Sequence, residues 1–197
     1  MALGCDTADI ITAAKAKTLV DNDYTFICRY INVLTPSEKK IITDAGLFVV
    51  SIWEKGSPTE AKYFTATKGT SDATSAIAAA KDLGQPEGTP IYFTVDYDAS
   101  ESDVSGAITK YLQAVKAVFA NQGYPYKLGL YGSGAVLGFF KNTFTYTWLA
   151  GATGWRGSKD FTGYTMKQYG FNTTIGSGAG KITIDKDDSN GSAGGWK

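Results

Sequence analysis

Asp96 and Asp98 stand two residues apart at the end of the run Thr89 to Ser100, TPIYFTVDYDAS, an apolar stretch that stops at charge. Side chains alternate between faces along an extended strand, so both carboxylates are expected on one face and Tyr97 on the other. Carboxylates at the end of a buried strand are costly to desolvate without partners. A pair of carboxyl groups is also what glycoside hydrolysis uses, one as acid and one steadying positive charge. The competing reading of Asp98 is a helix cap or turn residue, since a helix is predicted from Glu101.

Composition narrows the chemistry. The 197 residues include no histidine and only two cysteines, Cys5 and Cys28. Ser-His-Asp and Cys-His catalysis are therefore excluded, as are zinc sites built on histidine or a cysteine cluster. Acid–base work falls to carboxylates, Tyr or Lys. A disulfide between the cysteines is conceivable, but two buried thiols are the expected state. With 19 basic and 19 acidic residues there is no basic excess to neutralise phosphates, so no nucleic-acid partner is expected. No apolar run approaches the ~20 residues that span a bilayer, so no membrane partner is expected either. The start, Met1 to Asp6, has no basic segment followed by an apolar stretch, and no secretory signal is visible there.

No cofactor is expected. No G-x-G-x-x-G follows the first strand, and Gly132-Ser133-Gly134 is too brief for a phosphate loop. The tail from Asp185 to Gly191 imitates a calcium loop, but its glycine falls one position late and Trp196 stands where the loop's Glu belongs. No dedicated metal site is expected.

The elements that must position these residues alternate. Strands are predicted at Leu3 to Asp6, Phe26 to Val33, Leu47 to Trp53, the run ending in Asp96 and Asp98, and Lys127 to Tyr131. Helices are predicted from Ala8 to Val20, from Thr35 to Gly46, over Pro58 to Leu83 with a break near Gly69-Thr70, from Glu101 to Gln122, and from Ser133 to Phe140. Thr35-Pro36-Ser37-Glu38 is a helix start, with a capping Thr, Pro in the first turn and Glu three residues on. Three strands then follow, Tyr146 to Ala150, Tyr164 to Tyr169 and Lys181 to Asp185, with glycine-rich loops and little room for helices. Alternating strands and helices imply parallel strands. Eight strands of this kind favour an α/β fold of the TIM-like barrel type, five strand–helix units followed by three strands with few helices, in a single domain over 1–197.

In such a barrel, chemistry collects at the carboxyl ends of the strands. Those ends read Asp6, Arg29-Tyr30, Trp53-Glu54, Asp96 with Asp98, Tyr131, Trp148, Gln168-Tyr169, and Asp185 with Asp187. Closure sets strand eight beside strand one, making Asp185 and Asp6 neighbours with strand four roughly opposite. The expectation is an acidic cup rimmed by rings. Any one of these residues is ordinary alone; their coincidence across strands is the signal.

Gly4-Cys5-Asp6, the Y-F-T-V-D-Y-D of Tyr92 to Asp98, and Gln168-Tyr169 followed by Ile184-Asp185 resemble glycoside hydrolase family 25 lysozymes. More closely, the chain resembles the glycoside-hydrolase-like group once catalogued as domain of unknown function 1906, which Leu83-Gly84-Gln85-Pro86 and the closing Gly194-Gly195-Trp196 also fit. The resemblance runs from about Leu3 to Trp196. It implies a barrel of five strand–helix units and three last strands, in a bacterial or phage protein acting on peptidoglycan. In the lysozymes an Asp-x-Glu pair ends strand four, the Glu as general acid. Asp96 falls on that Asp, Asp98 on that Glu, and Asp6 and Asp185 on the acidic residues of strands one and eight. Position 98 departs from the pattern: its carboxyl is one methylene shorter, a retreat of ~1.5 Å, and a misplacement of about an ångström costs on the order of a hundredfold in rate. Glu54 is the alternative acid, with the longer reach.

The resulting expectation is a lysozyme-like glycosidase, with Asp96, Asp98, Asp6 and Asp185 catalytic. Arg29, Trp53, Glu54, Tyr131, Trp148, Gln168 and Tyr169 are expected to bind substrate, the rings stacking on sugars. The protein is expected to be a monomer, working outside the cell or at the cell wall. The alternative is a cell-wall glycan-binding module that kept the cleft and lost the acid.

Overall fold

In the computed structural model, which describes residues 1–197, eight strands close into a TIM-like α/β barrel in chain order. They are β1 (Ala2–Asp6), β2 (Phe26–Tyr30), β3 (Phe48–Trp53), β4 (Pro90–Thr94), β5 (Lys127–Gly132), β6 (Tyr146–Leu149), β7 (Met166–Ile175) and β8 (Ile182–Ser189). Neighbours from β1 to β7 pair in parallel, whereas β8 runs antiparallel to both β7 and β1. The reversal follows from chain length. Only residues 176–181 separate β7 from β8, and a parallel return needs a crossover of about a dozen residues or more.

The helices are α1 (Ala13–Asp21), α2 (Pro36–Asp44), α3 (Ala66–Asp82), α4 (Glu101–Asp103), α5 (Thr109–Asn121) and α6 (Gly134–Phe140). A π-helical turn, Val104–Ile108, joins α4 to α5. Thr12, Thr35, Thr65, Ser100 and Ser133 each cap a helix start by accepting a backbone N–H. The first helix starts at Ala13 rather than near Ala8, because the intervening loop is tied elsewhere. The Thr7 hydroxyl donates to the Thr183 carbonyl at 2.7 Å, and the Ile11 N–H donates to Glu38 Oε1 at 2.9 Å. The expected break at Gly69-Thr70 does not occur. Gly69 lies inside α3 because α5 passes so close there that a Cβ would sit 2.4 Å from the Tyr111 carbonyl oxygen.

Strand parity sorts the apolar residues into two cores. Ile27, Val49, Ile91, Phe93 and Leu130 face the helices, while Phe26, Cys28, Val50, Ile52, Tyr92, Tyr131, Trp148 and Met166 fill the barrel. Cys5 faces the first core and Cys28 the second, so both remain free, buried thiols. Trp196 exchanges two backbone hydrogen bonds with Val49 and donates its indole N–H to Ser51 Oγ at 2.9 Å.

Candidate active site

A cavity of about 180 Å³ opens at the carboxyl ends of the parallel strands. One wall carries Glu54, in parity with inward-facing Val50 and Ile52, and Asp96, in parity with Tyr92 and Thr94. The other wall carries Asp6, Gln168 and Asp185, with Asp6 and Asp185 directly paired across β1 and β8. Three strands lie between β4 and β8 in either direction around the ring, so these walls face each other.

Gln168 organises the second wall. Its Nε2 donates to Asp6 Oδ2 at 2.9 Å and to Asp185 Oδ2 at 3.3 Å. Its Oε1 accepts from the Gly151 N–H at 3.2 Å and the Tyr131 hydroxyl at 3.3 Å, contacts that set which end of the amide points at the acids. The Asn172 N–H donates to Asp185 Oδ1 at 2.7 Å. Below Asp6, Asp187 is completely buried and accepts the Trp148 indole N–H at 2.9 Å on Oδ1.

Burial and crowding raise Asp6, Asp187, Glu54 and Asp96. Burial, reinforced by the Asp185 charge and opposed by the Gln168 amide, pushes Asp6 up to about 7. Burial, then the Asp6 charge, pushes Asp187 well above the carboxylate range. Burial raises Glu54, the Thr94 hydroxyl acting against it and the Asp96 charge adding to it. Burial also raises Asp96, and the Tyr131 hydroxyl opposes the shift. The cup thus holds carboxyl groups able to keep a proton in mildly acidic solution.

Asp6, Glu54, Asp96, Tyr131, Trp148, Gln168 and Asp185, expected from the sequence, meet at this cavity. Four expected residues lie elsewhere. Asp98 is off the barrel: β4 stops at Thr94, the Asp96 N–H turns to the Pro58 carbonyl at 3.0 Å, and the strand alternation lapses. The exposed Asp98 Oδ1 instead accepts the Arg156 N–H at 2.7 Å. Arg29 faces the helices, buried in an ion pair with Glu38 at 2.8 Å and donating to the Thr7 carbonyl. Trp53 shares that outward parity and packs in the helix-facing core. Tyr169 is 47% exposed and does not line the cavity.

Three other residues take part. Tyr30 has the inward parity that Arg29 lacks, and it lines the cup. Phe171 has the wrong parity for a regular strand, but the ladder between β7 and β8 is irregular between Gln168 and Thr173, and this brings its ring to the cavity. Asp187 sits at the floor because β8 runs downward from Asp185. With Tyr131 and Trp148 mostly buried, Phe171, 51% exposed, and Tyr30 offer the more accessible ring surface.

An eight-stranded α/β barrel with opposed carboxylate walls at its mouth is a glycoside hydrolase-like barrel. Residues 17–189 match the model of the Rv2525c-like, glycoside hydrolase-like domain, and the chain belongs to that family. It is 39% identical over 209 residues to the uncharacterized protein YbfG of Bacillus subtilis, a match covering 94% of the chain and 28% of YbfG. The chain therefore spans little more than a quarter of that relative's length. Among solved structures, the Tat-secreted protein Rv2525c of Mycobacterium tuberculosis, in complex with L-tartrate, superposes with a TM-score of 0.81 at 19% identity, covering 100% of this chain and 99% of that one. The modular autolysin LytC of Streptococcus pneumoniae, in complex with a synthetic peptidoglycan ligand, superposes with a TM-score of 0.62 at 13% identity, covering 95% of this chain and 46% of that one. At these identities the shared property is the barrel. No helix of this chain is long and apolar enough to cross a membrane.

Proposed function

We propose that this domain is a glycosidase cleaving an N-acetylated cell-wall glycan of the peptidoglycan class, outside the cytoplasm, as a monomer and without a cofactor. The observation that carries this reading is the placement of Glu54 and Asp96, both partly buried and both raised, on one wall of the cup. The Asp96 charge favours a proton on Glu54, which divides the roles. Glu54 gives its proton to the leaving oxygen as the glycosidic C–O bond breaks. Ionised Asp96 steadies the oxocarbenium-like centre, and water adds to the anomeric carbon, its proton passing to a carboxylate of the cup. Asp6, Gln168 and Asp185 hold sugar hydroxyl or amide groups on the facing wall, and Tyr30 and Phe171 support the ring. The cavity is smaller than the ~300–1,000 Å³ of sites that enclose a drug-sized ligand, which suits one sugar unit of a longer chain lying across the rim. LytC, which shares the barrel, is seen with a synthetic peptidoglycan ligand, and Rv2525c is secreted, which supports the substrate class and the compartment.

One observation favours the second reading, a glycan-binding module: the residue at the lysozyme acid's sequence position, Asp98, is off the site. Release of reducing ends from purified peptidoglycan separates the two. Turnover by the wild type that drops by about 10²–10⁴ in Glu54→Gln supports the enzyme. Binding with no new reducing ends from pH 4 to pH 8 establishes the module instead.

A further inference from the structure

The role of Asp98 is unassigned by the cup, and its single partner leads to a second cavity. A groove of about 520 Å³ lies beside the cup, lined by Glu101, Val104, Ser105, Ala135, Phe139 and Arg156. Its floor is apolar, with Phe139 57% exposed, and it carries a cation and an anion. Neither Arg156 nor Glu101 takes part in any of the six ion pairs of the molecule.

The Arg156 backbone is held on both sides. Its N–H donates to Asp98 Oδ1 at 2.7 Å, and its carbonyl accepts the Ala135 N–H at 2.9 Å. The buried Ser158 Oγ accepts the Gly134 N–H at 3.0 Å, which docks the same loop on α6. The approach is close enough that a Cβ on Gly134 would sit 2.1 Å from the Gly157 carbonyl oxygen, and Gly157 itself has φ +70°. The guanidinium is therefore projected from a fixed base. The groove lies at the same carboxyl end of the barrel as the cup, since Glu101, Ala135 and Arg156 follow β4, β5 and β6. Asp96 lines the cup two residues before Asp98, and Trp155 packs on the barrel-filling cluster one residue before Arg156.

We propose that this groove binds the short peptide carried by the cell-wall glycan, with Asp98 as the positioning residue of Arg156. This rests on, and deepens, the function proposed above. The charge pattern selects the occupant: Arg156 pairs with a peptide carboxylate in fork geometry, Glu101 with the amino group of a diamino acid side chain, and Phe139, Val104 and Ala135 cover alanine methyl groups. An extended stem of four residues spans up to about 13–14 Å. A glycan without peptide leaves the groove empty.

The test is calorimetric titration of the muramyl disaccharide carrying its tetrapeptide stem and of the same disaccharide stripped of it. The stem-bearing ligand is expected to bind wild type about tenfold more tightly, the worth of one hydrogen-bonded ion pair. Arg156→Ala brings the ratio of the two affinities close to one. Asp98→Ala lowers it, and Asp98→Asn, which keeps an acceptor for the Arg156 N–H, restores it. Equal affinities in wild type, a ratio that survives Arg156→Ala, or no binding of either ligand overturns the assignment. Because the readout is an affinity ratio, loss of hydrolysis refutes the glycosidase without touching the groove. A ratio of one alongside intact hydrolysis refutes the groove alone.

Discussion

The Trp148 indole N–H meets Asp187 Oδ1 at 2.9 Å on the floor of the barrel, directly beneath Asp6. Asp187 has no exposed surface, and both acids are raised, so the pair keeps a proton that the unfolded chain releases. For raised carboxyl groups the stabilising contribution is complete below the unfolded value near 4 and is lost as pH rises through the folded one, about 7 for Asp6. The melting temperature of the wild type is therefore expected to fall between pH 5 and pH 8. Asp187→Asn keeps the Trp148 contact, supplies an N–H toward Asp6 and removes one ionisation. Its melting temperature is expected to fall less over that range and to exceed the wild type by at least ~3 °C at pH 8. Parallel curves for the two proteins in differential scanning fluorimetry would reject the shared proton.

Under the proposed mechanism Glu54 sets the alkaline limb of activity: burial with the Asp96 charge extends its protonated form to higher pH than an ordinary glutamate allows. The rate of reducing-end release is expected to decline as pH rises through the raised Glu54 value and to decline on the acid side as Asp96 takes up a proton. Glu54→Asp keeps the chemistry with a shorter reach and is expected to retain a bell-shaped profile at a rate lower by about a hundredfold. A profile unaltered by substitution at position 54 would remove the residue from the mechanism.

Gln168 holds Asp6 and Asp185 together, and Gln168→Leu leaves both without that donor. Hydrogen bonds to charged groups contribute about 1.5–3 kcal/mol each. Asp185 is partly exposed and its contact longer, so the loss is expected near the value of one such bond. Urea denaturation is expected to show a larger deficit at pH 8 than at pH 5, because the amide is most needed when Asp6 is ionised. An equal deficit at both values would mean that the residue acts through packing alone.

Arg29 and Glu38 form an ion pair shut away from water, with side chains 2% and 6% exposed. Removing one partner strands a buried charge. Glu38→Leu or Arg29→Met alone is expected to destabilise the fold by about 3–5 kcal/mol, while the double replacement recovers most of that loss. Denaturant midpoints of the three variants check this. Additive losses would show that the pair is not coupled.

The cup was legible where local alternation is enough. Asp6, Glu54 and Asp96 each continue the inward parity of their own strands, and the β1–β8 closure sets Asp185 against Asp6. Thr35 and Ser133 were legible as helix starts for the same local reason, whereas the helices capped by Thr12 and Thr65 were expected to begin earlier, at Ala8 and Pro58. Arg29 and Tyr169 carried plausible chemistry but the wrong parity, and so did Trp53. Alternation from Asp6 through Cys28 and Tyr30 contained the signal that would have exchanged Arg29 for Tyr30.

What the amino-acid sequence determined by itself is the order of elements, the barrel class, and the absence of histidine that leaves acid–base work to carboxylates, tyrosine or lysine. Only the tertiary structure decided that Asp98 leaves the site, that Asp187 sits beneath it and that Phe171 reaches its rim. The physical reason is common to the three. Parity is a property of neighbouring residues, but where a strand stops, which way the last strand runs and where a ladder loses register depend on distant hydrogen-bond partners. The Pro58 carbonyl turns β4 after Thr94, and the β1 and β7 ladders carry β8 downward past Asp185.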